Sequence, residues 1–351
     1  MRRSSLVFAA LSILLLPEAV QLQAQTPPPG SDYSGAAFDF EQIRDDVYIA
    51  MGTGALTVMS NAAIVINEDD VLVVDSHVSP AGAYALMQEL KQITPKPIRY
   101  VVVSHYHFDH SHGNQIYGPD VELIGHEFTH QAMAAGLSLT GRTFDRFLEP
   151  IAGRVETMRA ELQAASGEEE RARLAERLRI QENFLAATNA VQPTPPNVTL
   201  DRRLTLFRGG REIRIEYLGR GHTGGDVVVH LPEERVVMTG DLIYSSPSYM
   251  GNAYIPDWID TLERLKELDF DVMLPGHGAP LRDRAVIDHF QMYLRDLWRQ
   301  ILDLHNAGVP AAEAAARIDL RSHSANYPGI RSIGADLHAV ERAYEFIETG
   351  M

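Results

Sequence analysis

The 351-residue chain contains no cysteine. That excludes disulfide staples, thiol nucleophiles and thiolate ligands, so any metal must be held by histidine and carboxylate. Basic residues are in deficit, with 31 Lys and Arg against 47 Asp and Glu, for a formal net charge of −16. A chain this acidic is a poor binder of nucleic acid or of an anionic lipid surface, which leaves a small-molecule substrate as the expected partner. Long apolar runs are also missing: nothing after the N-terminal stretch approaches the ~20 residues of a bilayer span. The rest is ordinary globular composition, 45% hydrophobic and 22% charged, and the length suits one large domain or two modest ones. Nothing in the sequence sets an oligomeric state.

The N-terminus stands apart. Arg2 and Arg3 precede an apolar stretch, Leu6 to Leu16, that is too short to cross a bilayer comfortably, and Ala24 offers a small residue for cleavage. Residues 1–24 read as a signal peptide, so the mature protein is expected to be exported, to the periplasm in a Gram-negative cell. No stable membrane insertion is expected after cleavage; an uncleaved anchor is the alternative. Residues 25–37, with "TPPPGSDYSG", read as a flexible leader.

From Phe38 the pattern is β-rich. "DDVYIAMG" predicts a strand, and "SNAAIVINEDDVLVVDS" a hairpin turning at Glu68-Asp69-Asp70. "PAGAYALMQELKQI" has helical periodicity with proline at its start, and Pro97 to His105 reads as a buried strand. Gly125 to Thr188 carries no strand signal; its charged helical repeats, broken at Gly167, predict a helical insertion over about 129–196. Strands return between Val198 and Leu242, with hairpin turns at Gly209-Gly210 and Glu233-Glu234. An amphipathic helix over Pro256 to Asp269 feeds a last strand, "FDVMLPGHG", and residues 283–351 read as a helical C-terminal extension. Strand, helix, strand order predicts an α/β layer.

The segment "VVVSHYHFDHSHGN", Val101 to Asn114, places four histidines and an aspartate behind an apolar run. Alone it reads equally as a His-rich polar loop or as a metal site. Side chains two apart share a face of an extended strand, so His105 and His107 are expected to point the same way, with Asp109 and His110 coming after them at the turn. His222 in "GRGHTGGD", Asp241 in "VVMTGDL" and His277 in "VMLPGHG" each stand at or just beyond a predicted strand end beside glycine. Open α/β sheets bind ligands at such carboxyl ends.

The set His105-x-His107-x-Asp109-His110, with His222, Asp241 and His277, resembles the metallo-β-lactamase superfamily. The resemblance spans roughly Phe38 to Pro280 and implies an αββα sandwich occupying residues 38–282, with the helical insertion outside it. It implies two zinc ions, iron or manganese being alternatives. His105, His107 and His222 would hold the first, Asp109, His110 and His277 the second, and Asp241 would bridge both. Asp75 in "VLVVDS" matches a family aspartate that supports the site. His77 is undecided; His112, His126, His130, His230, His289, His305, His323 and His338 lack ligand context.

The resemblance also implies a hydrolase in which a metal-bridging hydroxide opens a cyclic amide or ester, with Asp109 orienting it and shuttling a proton. The region from Gly240 to Gly278 looks like that of class B1/B2 β-lactamases, and Asn252 would match their carbonyl-binding asparagine. Two departures count against a true β-lactamase: Asp241 stands where those enzymes have a ligand cysteine, and Tyr244 where they have a drug-binding lysine. The expected activity is β-lactamase-like, weak or promiscuous, with a lactonase or glyoxalase II-like thioesterase as the alternative. A metal-binding protein without turnover is the alternative outside enzymes.

Overall fold

The structure is a computed structural model that describes residues 26–350. The expected signal peptide, residues 1–24, lies outside the described residues. Runs of valine, isoleucine and alanine build two facing sheets. The first holds β1 (Phe38–Arg44), β2 (Val47–Gly52), β3 (Ala62–Ile66), β4 (Val71–Val74), β5 (Ile98–Val102), β6 (Glu122–His126) and β7 (Val198–Leu200), in sequence order. Strands β1 to β4 pair antiparallel, and β4 to β7 run parallel. The second sheet is ordered β12-β11-β10-β9-β8, from β8 (Arg203–Arg208), β9 (Arg211–Tyr217), β10 (Val227–Leu231), β11 (Val236–Gly240) and β12 (Val272–Pro275). Only β11 and β12 pair parallel there.

Period-two alternation sends successive side chains to different layers. Val65, Leu72, Val74 and Val102 meet Ile215, Val229 and Met238 between the sheets. Their neighbours Ile64, Val73 and Val101 face outward onto α1 (Pro80–Leu90), whose start is set by Pro80 and by Ser79 accepting from the Gly82 amide. Strands buried on both faces are near-continuously apolar, as the sequences of β3 and β4 are. On the far side Val228, Val237 and Met273 pack under α7 (Ile255–Glu267) and α8 (Ala285–Asn306), with α9 (Ala311–Arg317) and α10 (Leu337–Thr349) joining the same core. The result is the expected αββα sandwich. The C-terminal helices share one core with the second sheet rather than forming an appendage.

Between β6 and β7, which are neighbours in the sheet, run α3 (Glu127–Ala134), α4 (Gly141–Phe147), α5 (Ile151–Ala164) and α6 (Glu168–Asn189). Leu148, Ile151, Val155, Leu178 and Phe184 of this segment pack on Val78 and on Phe108 of the one-turn α2 (Phe108–Ser111). The insertion therefore braces the histidine motif directly.

Two local expectations fail. Strand β5 ends at Val102, not His105: the Val103 amide makes a last bond to β6 at the Ile124 carbonyl, and the Ser104 carbonyl is taken by the Val227 amide of the other sheet. Strand β6 runs to His126, where no strand was expected. Its apolar content is a short Leu123-Ile124 pair, and it is held by parallel pairing to β5 and β7, which local periodicity does not report.

Trp258 is fully buried, donates its indole N–H to the Leu242 carbonyl at 3.1 Å, and lies 5.1 Å ring to ring from Phe290. Trp258→Ala is expected to cost about 3–5 kcal/mol in urea unfolding, from lost burial and the cavity left behind. An unchanged unfolding midpoint would contradict this packing.

Candidate metal centre

The motif residues reach one edge of the sandwich by different routes. His105 lies in the loop after β5, His107 caps the start of α2, and Asp109 and His110 sit on α2 itself. His222 comes after β9, Asp241 directly after β11, and His277 lies just beyond β12. The shared-face argument for His105 and His107 does not apply, since the strand has ended before either. Their rings, 4.7 Å apart and edge to face, are instead brought together with His222 by the loop.

Potential donor atoms form three overlapping groups, each within 4.8 Å: His105, His107 and His222; His105, His110 and Asp241; Asp109, His110 and His277. His222 Nε2 is 2.9 Å from His107 Nδ1 and 3.5 Å from Asp241 Oδ2. His277 Nε2 is 3.2 Å from Asp109 Oδ2 and 3.4 Å from Asp241 Oδ2; His110 Nε2 is 3.5 Å from Asp109 Oδ2 and 3.4 Å from Asp241 Oδ1. Two atoms ~2.1 Å from a shared tetrahedral ion would lie about 3.4 Å apart. His105 Nε2, His110 Nε2 and Asp241 Oδ1 are buried without hydrogen-bond partners. A buried polar atom left unsatisfied is costly, so the orphaned atoms and the all-nitrogen-and-oxygen donor set fit divalent cations.

Neighbouring groups decide which ring nitrogen faces inward. His110 Nδ1 donates to Asp75 Oδ2 at 2.7 Å, a carboxylate that also accepts from the Ser104 amide and hydroxyl. His110 Nε2 is thereby turned toward Asp109 and Asp241. The Ser104 hydroxyl lies 3.0 Å from His105 Nδ1, leaving His105 Nε2 inward. His107 Nε2 donates to Asn252 Oδ1 at 3.2 Å, so Nδ1 faces the cluster. Thr143, on α4, donates to the same Asn252 oxygen. Sequence reasoning misses both Ser104 and Thr143: Ser104 sits inside the motif and is readable there, whereas Thr143 lies in the insertion and carries no local signal. Gly276 is required by close approach, since a Cβ there would lie 2.3 Å from Asp241 Oδ1 and 2.7 Å from His110 Cε1.

Burial pushes the His105 imidazole well below its ordinary range, His107 down to about 4 and His222 to about 3, so these three are neutral at neutral pH. The other half is charged. Burial opposes ionisation of Asp109 and Asp241, but His110 and His277 outweigh it and hold both carboxyls well below the usual range. Burial likewise opposes a proton on His277, yet Asp241 and Asp109 raise it to about 10; Asp109, Asp241 and Asp75 raise His110 in the same way.

Other histidines have separate work. His77 is buried against Phe38 and the Ser60 carbonyl, outside the cluster, and His112 Nε2 meets the Ser138 carbonyl in the insertion. His126 caps α3, and His338 Nδ1 lies 2.9 Å from the Tyr249 hydroxyl.

The profile of the Metallo-beta-lactamase superfamily matches residues 56–277. The chain belongs to the metallo-β-lactamase superfamily. It is 23% identical over 230 residues to the 2,4-dinitroanisole O-demethylase subunit alpha of Nocardioides sp. (strain JS1661), covering 64% of this chain and 54% of that one. It is 23% identical over 295 residues to the linear primary-alkylsulfatase of Pseudomonas sp. (strain ATCC 19151), covering 79% and 53%. The chain thus spans about half the length of the curated relatives it matches. Among solved structures, a metallo-β-lactamase from Pontibacter korlensis superposes with a TM-score of 0.52 at 18% identity, covering 74% of this chain and 99% of its own. That superposition uses nearly the whole of the other chain and leaves about a quarter of this one unmatched.

Two measurements check this division of charge. Loading the metal-free protein at pH 7 should release a proton from each of His110 and His277 and none from His105, His107 or His222. Calorimetry in buffers of different ionisation enthalpy measures this. The sign comes from the raised pKa values: affinity falls as pH drops and protons compete, and the proton cost disappears only as pH rises through about 10, the value for His277. Asp75→Ala should weaken metal binding by roughly 10–100-fold, read by chelator competition, because His110 loses the group that orients it.

Proposed function

We propose that the protein is a metal-dependent hydrolase of ester-type bonds, sulfate esters included, acting at the cluster of His105, His107, Asp109, His110, His222, Asp241 and His277. That convergence at ligand spacing, with orphaned donor atoms turned inward, is the observation that carries the reading. Two divalent ions held there would supply Lewis acidity and lower the pKa of a shared water toward ~7. His105, His107 and His222 offer three neutral nitrogens for one ion; Asp109, His110 and His277 suit a second, with Asp241 between them. Asp75 and Asn252 keep His110 and His107 in the orientation that presents those nitrogens. Asp109 would give one carboxylate oxygen to the ion shared with His110 and His277, and its other oxygen would accept the proton of an attacking water and return it to the leaving group. The His277 side chain, 29% exposed, marks where the cluster opens to solvent.

Several features support esters over β-lactams. Asp241 and Tyr244 replace the ligand cysteine and the drug-binding lysine of the class B1/B2 pattern. A relative matched over 79% of this chain is named an alkylsulfatase. Opening of a β-lactam is the second reading, favoured by Asn252 lying beside His107, and is expected to be the slower reaction.

The test is metal quantification coupled to a panel of alkyl sulfates, carboxylic esters, lactones, thioesters and β-lactams. Two metals per chain and an ester class turned over faster than any β-lactam is the expected result. A β-lactam as the fastest substrate would reverse the ranking, and no turnover with both positions filled would defeat the reading. Asp109→Asn should lower kcat/KM on the best substrate by roughly 10²–10⁴-fold.

A further inference from the structure

Next to the cluster lies a cavity of about 380 Å³, within the ~300–1,000 Å³ of small-molecule sites. It is walled jointly by the sandwich loops, the insertion between β6 and β7, and helix α10. Two of its residues touch one candidate ligand, His107. Asn252 accepts from His107 Nε2, and the Tyr106 ring lies 4.8 Å from the His107 imidazole.

The wall chemistry is aromatic and aliphatic. Tyr106 stands 6.1 Å ring to ring from Phe128, which packs where Gly224 leaves room: a Cβ on Gly224 would come within 2.7 Å of the Phe128 ring. Tyr254 is flanked by the guanidinium groups of Arg220 at 4.4 Å and Arg342 at 4.6 Å. Leu137 lines the cavity while 47% exposed, a large apolar side chain left in water.

The charges in the wall neutralise one another. Arg142 of the insertion forms a two-pronged ion pair with Glu345 of α10 and lies 3.6 Å from Glu341. Arg342 is 3.9 Å from the same Glu345. A cavity whose cations are already matched by carboxylates has little to offer an anion, and its apolar surface gains from displacing water.

We propose that this cavity is the substrate's tail pocket, taking an alkyl or aryl group whose polar ester end reaches the metal cluster. The proposal rests on the hydrolase reading above. It makes Leu137 and Phe128 of the insertion determinants of specificity, with the Arg142–Glu345 pair joining the insertion to α10 as a shared wall.

The experiment uses neutral probes with no acidic group to bind a metal: the straight-chain alcohols from 1-butanol to 1-octanol, titrated by calorimetry into the full chain with and without metal. Each added methylene should tighten binding roughly fourfold, the equivalent of ~0.8 kcal/mol per buried CH₂, until the cavity is filled. Leu137→Asp, at an exposed position, should flatten this dependence while leaving the thermal melt unchanged. Leu137→Trp should bring the plateau to shorter chains. Equal affinity along the series, or a Leu137→Asp slope equal to that of the unsubstituted protein, would overturn the pocket. If the alcohols bind with the expected slope but no ester is hydrolysed, the pocket stands and the hydrolase reading falls. If esters are hydrolysed with kcat/KM independent of chain length, the pocket falls alone.

Discussion

The buried carboxylate of Asp75 is the constraint on which the site depends. A charge removed from water must be paired or hydrogen-bonded, or the fold loses several kcal/mol. Asp75 meets this with the Ser104 amide, the Ser104 hydroxyl and His110 Nδ1, while its own amide donates to Val102. One side chain thus ties the end of β4 to the end of β5 and to α2. It does so from a left-handed backbone, at φ 69°, which an aspartate tolerates better than a branched residue. His110 cannot turn without breaking that set of bonds, and so its other nitrogen stays aimed at Asp109 and Asp241.

The cluster divides into two electrostatic halves. Around His105, His107 and His222 burial dominates and keeps the rings neutral. Around Asp109, Asp241, His110 and His277 the charges attract strongly enough to overcome burial. A neutral nitrogen set beside an anionic one suits two ions with different tasks, one polarising a substrate oxygen and one holding a leaving group or a substrate anion.

The superfamily sandwich carries many chemistries, so the fold itself does not select a substrate. Selection falls to what surrounds the cluster. Here the insertion between β6 and β7 packs on Phe108 beside Asp109, and Thr143 reaches Asn252 and through it His107. Helix α10 meets the insertion through Arg142–Glu345 and Arg146–Asp336. Segments that read in sequence as a solvated insertion and a helical extension are therefore joined beside the site.

Much of this was legible residue by residue. The candidate ligands stood out because metal chemistry needs particular side chains, and the absence of cysteine narrowed them to histidine and carboxylate. The sandwich strands were readable because burial on both faces demands unbroken apolar runs, as in "AAIVI" and "VLVV". Strand β6 was not, because two apolar residues make no period. The convergence of His105 and His107 was expected, but a loop produces it and strand alternation does not. Thr143 and Asn252 are 109 residues apart, and His107 and His222 are 115 apart. Donor types, strand and helix periods and the family pattern could be read from residues alone, since each is encoded within about ten neighbours or in residue identity. Which imidazole nitrogens face inward, the meeting of the insertion with α10 and the cavity between them emerge on folding. Those depend on packing between segments far apart in the chain, which no local pattern records.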